Sequence, residues 1–175
     1  MSEILSTAPT ASEHESAAYM PDTATELREF LAFKLGDEEY GIDILSVQEI
    51  RSYEKPTRMA NTPEFVLGVV NLRGVIVPVL DMRLKFGLAQ VEYGPLTVCI
   101  VLSIGKRTVG MVVDAVSDVV ALTPQQMRPV PELTSSIGSD HLMAIGSLEE
   151  RMLILLDIEK LMGSAEMGLF STSIQ

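Results

Sequence analysis

The chain has 175 residues, a formal net charge of −11 and a hydrophobic fraction of 47%. This length supplies one hydrophobic core, or two small lobes that share one. The acidic charge argues against a protein that binds nucleic-acid backbones, because no basic excess is available to release counterions. The apolar runs are too short for a membrane span, and the first residues lack the basic and apolar segments of a secretory signal.

The first part of the chain differs in composition from the rest. It is rich in Ser, Thr, Ala and Glu and includes Pro9 and Pro21. Such a segment buries too little apolar surface to offset the entropy that ordering would cost. We therefore expect a disordered tail over residues 1–27, ordered structure from Arg28, and a second short tail over residues 170–175.

Alternating side chains predict strands after the tail. Residues 30–35 follow a two-residue period, Gly36–Glu39 supply a turn, and residues 40–45 continue the period, as in a hairpin. Val47–Arg51 predict a further short strand.

Capping residues predict two short helices in the first half of the chain. Thr62 followed by Pro63 has the pattern of an N-cap and a first helical position. Asp81 predicts the N-cap of a second helix over Met82–Phe86, which Gly87 would end.

The second half of the chain repeats the first. Leu35–Ile42 aligns without gaps with Ile104–Met111, and both glycines of each segment coincide. Val75–Gly87 aligns in the same way with Arg151–Gly163. A repeat in fixed order implies two copies of one supersecondary unit.

This repeat predicts the fold class. Each copy has about 60 residues of short strands, which is small for a stable domain. We therefore predict an all-β protein in which two small β-barrels lie side by side around a shared aliphatic core. The lobes are expected over residues 28–95 and 96–165, each with a short helix at an equivalent place.

Reactive side chains are sparse in the sequence. The histidines, His14 and His141, have no further ligand at metal-binding spacing. Cys99 lies in an apolar run that is typical of a buried thiol, and a single cysteine is consistent with a reducing cytoplasm. Phosphate-binding glycine patterns are absent. We expect no catalytic site, no metal and no cofactor.

One constellation is open to two interpretations. The apolar runs on both sides of Arg73-Gly74 predict a hairpin with an arginine at its turn. Arg73 either clamps this turn through nearby carbonyls or a carboxylate such as Glu49, or points outward in a protein-binding face with Val47, Glu49 and Arg51.

Several motifs, in this order and spacing, resemble those of the CheW-like chemotaxis coupling proteins. The segment Asn61–Arg83 is similar to the family signature. Further matching segments are Tyr40–Ile44, Val47–Ile50, Val109–Val119 and Arg151–Leu155. The resemblance covers roughly residues 29–169, so the family domain is expected over residues 28–169.

The resemblance implies two five-stranded SH3-like β-barrels with a groove between them and a non-catalytic adaptor function. Family members bind the cytoplasmic tip of a chemoreceptor and the regulatory domain of the histidine kinase CheA. It also implies a cytoplasmic protein that is a monomer alone, forms rings or arrays with its partners, and reaches the membrane only through them.

Motif position assigns two sets of partner-binding residues by resemblance. The first-lobe set comprises Val47, Glu49, Arg51, Asn71, Arg73 and Gly74. The second-lobe set comprises Arg128, Glu132 and Leu133, where close relatives tend to carry an aromatic residue in place of Leu133. The resemblance leaves open which set meets which partner.

Two other functions remain as alternatives. A barrel that binds a small ligand or serves as an enzyme subunit needs a concave site with convergent polar groups. The sequence offers only an aliphatic lining with Arg73 and Glu49. A purely structural oligomer would self-associate strongly and bind no other partner.

Overall fold

A computed structural model describes residues 26–88, 91–131 and 141–163. The strands within these ranges are β1 (Arg28–Leu35), β2 (Glu38–Asp43), β3 (Val47–Ser52), β4 (Val66–Leu72), β5 (Val75–Asp81), β6 (Val98–Ile104), β7 (Arg107–Val113), β8 (Ala115–Leu122), β9 (Met127–Arg128), β10 (Leu142–Leu148) and β11 (Arg151–Leu156). The helices are α1 (Met82–Lys85) and α2 (Ile158–Gly163), with 3₁₀ turns at Ile44–Ser46 and Pro124–Gln126.

The predicted tails fall almost wholly outside the described ranges, which include only Glu26 and Leu27 of residues 1–27. Neither of the two α-helices in the described ranges has the length and apolar character that crossing a membrane requires.

The strands form two sheets, and each sheet curls back on itself. The six-stranded sheet has the order β8-β1-β2-β11-β10-β9, and the five-stranded sheet has the order β3-β6-β7-β5-β4. In the first, β9 follows β8 along the chain and pairs with β10. In the second, Thr57 follows β3 and forms a bridge with Val69 of β4. Both sheets therefore approach closed barrels, which leave few exposed strand edges.

The two repeats exchange strands. The first repeat supplies β1–β5 and α1, and the second supplies β6–β11 and α2. The β6–β7 hairpin lies between β3 and β5, and the β1–β2 hairpin lies between β8 and β11. Each sheet is thus built from both halves of the chain. The sheets do not divide near residue 95, because each hairpin finds its strand partners in the other repeat.

A shared core joins the two sheets, as the sequence predicts. It contains Leu31, Phe33, Ile42, Ile100, Leu102 and Met111 among other buried residues. Smaller apolar clusters fill the individual barrels. These include Phe30, Leu122, Leu153 and Leu155 in the six-stranded sheet and Val77, Val79, Cys99 and Val101 in the five-stranded sheet.

The helix predicted to start at Thr62 is wrong, because the chain turns there and enters β4. The N–H of Val66 donates to the carbonyl of Pro63 at 3.0 Å, which closes a turn. The Thr62 hydroxyl donates to the Met59 carbonyl at 3.4 Å and does not cap a helix.

The helix predicted after Asp81 is confirmed, and so is the equivalent helix expected in the second lobe. α1 follows Asp81, whose Oδ1 accepts the backbone N–H of Arg83 at 3.0 Å. α2 follows Asp157, whose Oδ1 accepts the backbone N–H of Lys160 at 3.1 Å. The equivalent caps support the internal repeat.

Candidate functional site

The β4–β5 hairpin carries three of the predicted partner-binding residues. Arg73 and Gly74 form its turn with φ angles of 53° and 89°, as a two-residue type I′ turn requires. The Asn71 side-chain Oδ1 accepts the N–H of Gly74 at 2.7 Å. Asn71 therefore stabilises the turn and leaves the guanidinium of Arg73 free to reach beyond it.

Arg73 forms an ion pair across the opening of the five-stranded barrel. Its Nη2 donates to Oε2 of Glu49, and Nη1 of Arg51 lies 3.5 Å from the Glu49 Oε1. Because β3 and β4 are the two edges of this sheet, the pair links them. The Arg73 side chain is 62% exposed and that of Glu49 is 26% exposed. The structure thus combines both interpretations: Arg73 contacts Glu49 and also faces solvent.

The electrostatics of this pair keep Glu49 ionised. The hydrogen bond from Arg73 is the main reason that the pKa of the Glu49 carboxyl lies below its usual value, and the charges of Arg73 and Arg51 act in the same direction. The same hydrogen bond raises the pKa of Arg73. The site therefore presents two cations around one anion at neutral pH.

Val47 occupies a different environment on the same strand. It is half-buried, packs against the shared core and lies opposite Leu102 of β6. Arg51, in contrast, lines a small cavity together with Val70 and Leu72. The first-lobe set thus runs from the shared core to the exposed hairpin turn.

Of the second-lobe set, the structure describes only Arg128, which lies on the other sheet. Arg128 is exposed on β9 and pairs through its backbone with Ile145 of β10. The remaining predicted members, Glu132 and Leu133, lie outside the described residues. The structure therefore does not place Arg128 in the same sheet as Arg73.

Two exposed residues beside Arg73 were missed by the sequence analysis. Val75 is 53% exposed and Ile76 is 61% exposed. The available signal was that two consecutive apolar residues at the start of a strand point to opposite faces, so both cannot be buried in the same core. We refer to residues Arg73, Gly74, Val75 and Ile76 as the hairpin tip. Its combination of a guanidinium with exposed aliphatic side chains is typical of protein contacts.

A buried arginine network was also missed. The Arg83 side chain is 1% exposed and binds Asp81 through Nε–Oδ1 and Nη2–Oδ2 contacts of 2.9 Å. Its Nη1 donates to Asp114 Oδ1 at 2.8 Å and to the Glu92 carbonyl at 2.7 Å, while the Tyr93 hydroxyl donates to Asp81 Oδ2 at 2.7 Å. Burial alone would lower the pKa of Arg83, but its hydrogen bonds to the two aspartates outweigh this effect and raise it. The Asp-x-Arg spacing after an apolar strand was the available signal.

The described residues offer little reactive chemistry. Within the described ranges, no group of three or more His, Cys, Asp or Glu side chains could hold a metal ion. Burial raises the pKa of the Cys99 thiol to about 11, which disfavours the nucleophilic thiolate at neutral pH. The site is thus characterised by charge and exposed apolar surface.

Comparisons with known proteins agree with this arrangement. The family model described as the CheW-like domain matches residues 29–166. The chemotaxis protein CheW of Klebsiella aerogenes is 59% identical over 142 residues, covering 81% of this chain and 86% of the relative. The probable chemotaxis protein CheW of Rhizobium etli is 35% identical over 139 residues, covering 79% and 90%.

A solved structure is similar over most of its length. The scaffolding protein TtCheW from Thermoanaerobacter tengcongensis superposes with a TM-score of 0.74 at 29% sequence identity, covering 81% of this chain and 96% of that one. The shared architecture is a pair of SH3-like lobes. The chain therefore belongs to the CheW-like family of chemotaxis proteins.

Proposed function

We propose that this chain is a non-catalytic cytoplasmic adaptor that couples chemoreceptors, the methyl-accepting chemotaxis proteins, to the histidine kinase CheA. Family membership supports a scaffolding role in chemotaxis, since the matching solved structure is described as a scaffolding protein. The observation that carries the proposal is the exposed hairpin tip with Arg73 at its turn.

The chemistry of the hairpin tip suits a reversible protein contact. Arg73 is paired but mostly exposed, so a partner carboxylate can compete with Glu49 for its guanidinium without a large desolvation cost. The neighbouring Val75 and Ile76 supply apolar area that is exposed in the free chain.

The two lobes supply two separate partner faces, as an adaptor requires. The first-lobe set lies on the five-stranded sheet, and Arg128 lies on the six-stranded sheet. A typical interface buries about 800 Å² per partner. A micromolar contact corresponds to about −8 kcal/mol, so several such contacts made together would hold a receptor–kinase array through effective concentration.

The proposal predicts that the chain bridges its two partners. A chemoreceptor cytoplasmic fragment, the CheA regulatory domain and the full chain should elute as one assembly in size-exclusion chromatography with light scattering. Leaving out the chain should leave the other two proteins separate. Failure to bind either partner, or binding that is mutually exclusive, would contradict the proposal.

Two substitutions assign the faces. Arg73→Ala should weaken binding to one partner and Arg128→Ala binding to the other, with Lys55→Ala as a control at an exposed residue outside both sets. Because Asn71 stabilises the hairpin turn, the Arg73 variant should unfold at nearly the same temperature as the parent. If both variants lose binding to the same partner, the proposal that each lobe binds a different partner is contradicted.

A further inference from the structure

Asp114 connects the two lobes at the point where the chain passes from β7 to β8. Its Oδ1 accepts a hydrogen bond from Nη1 of Arg83 at 2.8 Å, and its Oδ2 accepts the backbone N–H of Gly36 at 2.7 Å. The N–H of Asp114 donates to the Lys34 carbonyl at 3.1 Å. Arg83 follows the last strand of its repeat in the five-stranded sheet, while Lys34 and Gly36 belong to the β1–β2 hairpin of the six-stranded sheet. One carboxylate thus bridges both lobes.

The bridge is anchored on the side of the five-stranded sheet. Arg83 is held by Asp81 through two contacts of 2.9 Å, and its guanidinium carbon lies 4.9 Å from the centre of the Tyr93 ring. Asp81 is fully buried, and its backbone N–H donates to the Phe65 carbonyl at 2.8 Å. A buried, fully paired charge has a well-defined position, because every displaced hydrogen bond is costly in a low dielectric.

The other repeat lacks the same bridge. In the alignment of the repeats, Leu45 corresponds to Asp114 and Gly36 to Gly105, and in its later segment, which has a different offset, Arg83 corresponds to Glu159. Leu45 is 88% exposed and has no carboxylate with which to join two lobes. Glu159 cannot donate a hydrogen bond to a carboxylate as a guanidinium does. The two pseudo-equivalent junctions between the lobes are therefore chemically different, and only the one at Asp114 has this carboxylate bridge.

We propose that the Arg83–Asp114–Gly36 bridge sets the angle between the two lobes, so that Asp114 is a positioning residue for coupling. The functional part of this inference rests on the proposed function, because it assumes that each lobe carries one partner face. A change in the interlobe angle leaves each face intact and alters only their relative placement. The Asp114 side chain is 36% exposed, so it can be substituted with less disturbance than the buried Arg83.

Asp114→Asn tests the bridge, because an amide retains one acceptor oxygen but loses the charge that Arg83 binds. Asp114→Glu is a second variant that keeps the charge and changes the reach, and it remains informative should the Asn variant fold poorly. Asp118→Asn is the matched control: Asp118 pairs with Arg151 at 2.9 Å, and both lie in the six-stranded sheet.

The distance between the lobes can be measured by pulsed electron paramagnetic resonance. Spin labels are attached to Cys residues introduced at Glu29 and Lys55, one on each lobe. The only native cysteine, Cys99, is buried.

The distance distribution should be narrow in the parent and in Asp118→Asn, and shifted or broadened in both Asp114 variants. Unchanged distributions in folded Asp114 variants would overturn the proposal. In the reconstituted assembly, Asp114→Asn should lower receptor-dependent kinase activity about fivefold or more, in the range of typical couplings between sites. The affinity of the variant for each partner alone should change by less than about twofold. If the variant instead loses its affinity for one partner, Asp114 belongs to the surface that binds this partner, and the proposal is contradicted. The distance measurement needs no partner, so it decides the bridge even where the parent fails to couple.

Discussion

Gly68 is the residue that permits the five-stranded barrel to close. The backbones of Thr57 and Val69 exchange two hydrogen bonds of 2.9 Å beside it. Gly68 has a φ of 145°, and a Cβ atom there would lie 2.0 Å from the Thr57 carbonyl oxygen. No side chain fits between two paired backbones at this distance, so the closure depends on glycine.

Gly68→Ala should therefore destabilise the protein by about 2–4 kcal/mol, because both the backbone conformation and the contact become unfavourable. Gly87→Ala is the matched control: its φ of 73° is also positive, but the added Cβ would meet no atom within 4 Å. Its cost should be about 1–2 kcal/mol from conformation alone. Urea unfolding measures the loss of unfolding free energy in both variants. Equal losses would show that the close contact between position 68 and Thr57 adds no cost of its own.

At the residue scale, the sequence left two interpretations of Arg73 open. One of them paired Arg73 with nearby carbonyls or a carboxylate such as Glu49, and the structure shows the Glu49 pair together with the solvent exposure that the other interpretation expected. The Arg83–Asp114 contact was not predicted, because the two residues are 31 positions apart and nothing in the local sequence of either indicates the other. That the two sets of residues bind partners stays a prediction.

At the element scale, Arg151 connects three strands of the six-stranded sheet. Its Nε and Nη2 each lie 3.1 Å from a Glu39 oxygen on β2, and its Nη1 and Nη2 lie 3.0 and 2.9 Å from Asp118 on β8. Burial would raise the pKa of Glu39, but hydrogen bonds from Arg151 and Ser117 and the Arg151 charge outweigh it and lower the pKa. The hydrogen bond from Arg151 also lowers the pKa of Asp118.

Arg151→Gln should cost about 1 kcal/mol near pH 7, as expected for a partly exposed ion-pair network. Because both carboxyl pKa values are lower in the folded state, their contribution is present above the unfolded-state values of about 3.9 and 4.3. It is lost as the pH falls through the lower folded-state values. The difference between parent and variant should therefore shrink on acidification from pH 7 to pH 3, measured by urea unfolding at each pH. Lys55→Gln, an exposed control, should show no such trend, and a pH-independent difference for Arg151→Gln would contradict the account.

The elements themselves were predicted well where the pattern has a two-residue period. Alternation is a local property, so the β1–β2 and β4–β5 hairpins followed from it. The helix at Thr62 was mispredicted because Thr and Pro are also common in turns, and the following valines favour a strand. The prediction of helix α1 was correct because its signal is local: Asp81 directly precedes the helix and its side chain accepts a backbone N–H of the first turn.

At the scale of the whole molecule, strand exchange makes the two halves interdependent. Among the strand pairs that join the halves, β2–β11 and β5–β7 are parallel, and in each an equivalent glycine lies opposite an aliphatic residue of the other strand. Gly41 lies opposite Leu155, and Gly110 lies opposite Val79. A Cβ at Gly41 would lie 2.8 Å from Leu155 Cδ2 and one at Gly110 would lie 2.8 Å from Cys99 Sγ, so close packing of a neighbouring side chain explains why this glycine recurs. The repeat was visible in the sequence, but the exchange was not, because pairing between distant strands leaves no local pattern.

Separate fragments of residues 1–95 and 96–175 should each lack cooperative unfolding, because each barrel needs strands from both. Mixed in equal amounts, they should recover the circular dichroism spectrum and the cooperative transition of the intact chain. A cooperative transition in either fragment alone would show that the exchanged strands are dispensable.

The central claim is that the chain couples a chemoreceptor to CheA, and CheA autophosphorylation with chemoreceptor cytoplasmic fragments tests it most directly. The account predicts receptor-dependent activation only when the chain is added, and a much weaker response with folded Arg73→Ala. Kinase activity that is unchanged by the folded parent chain in the presence of both cognate partners would contradict the account.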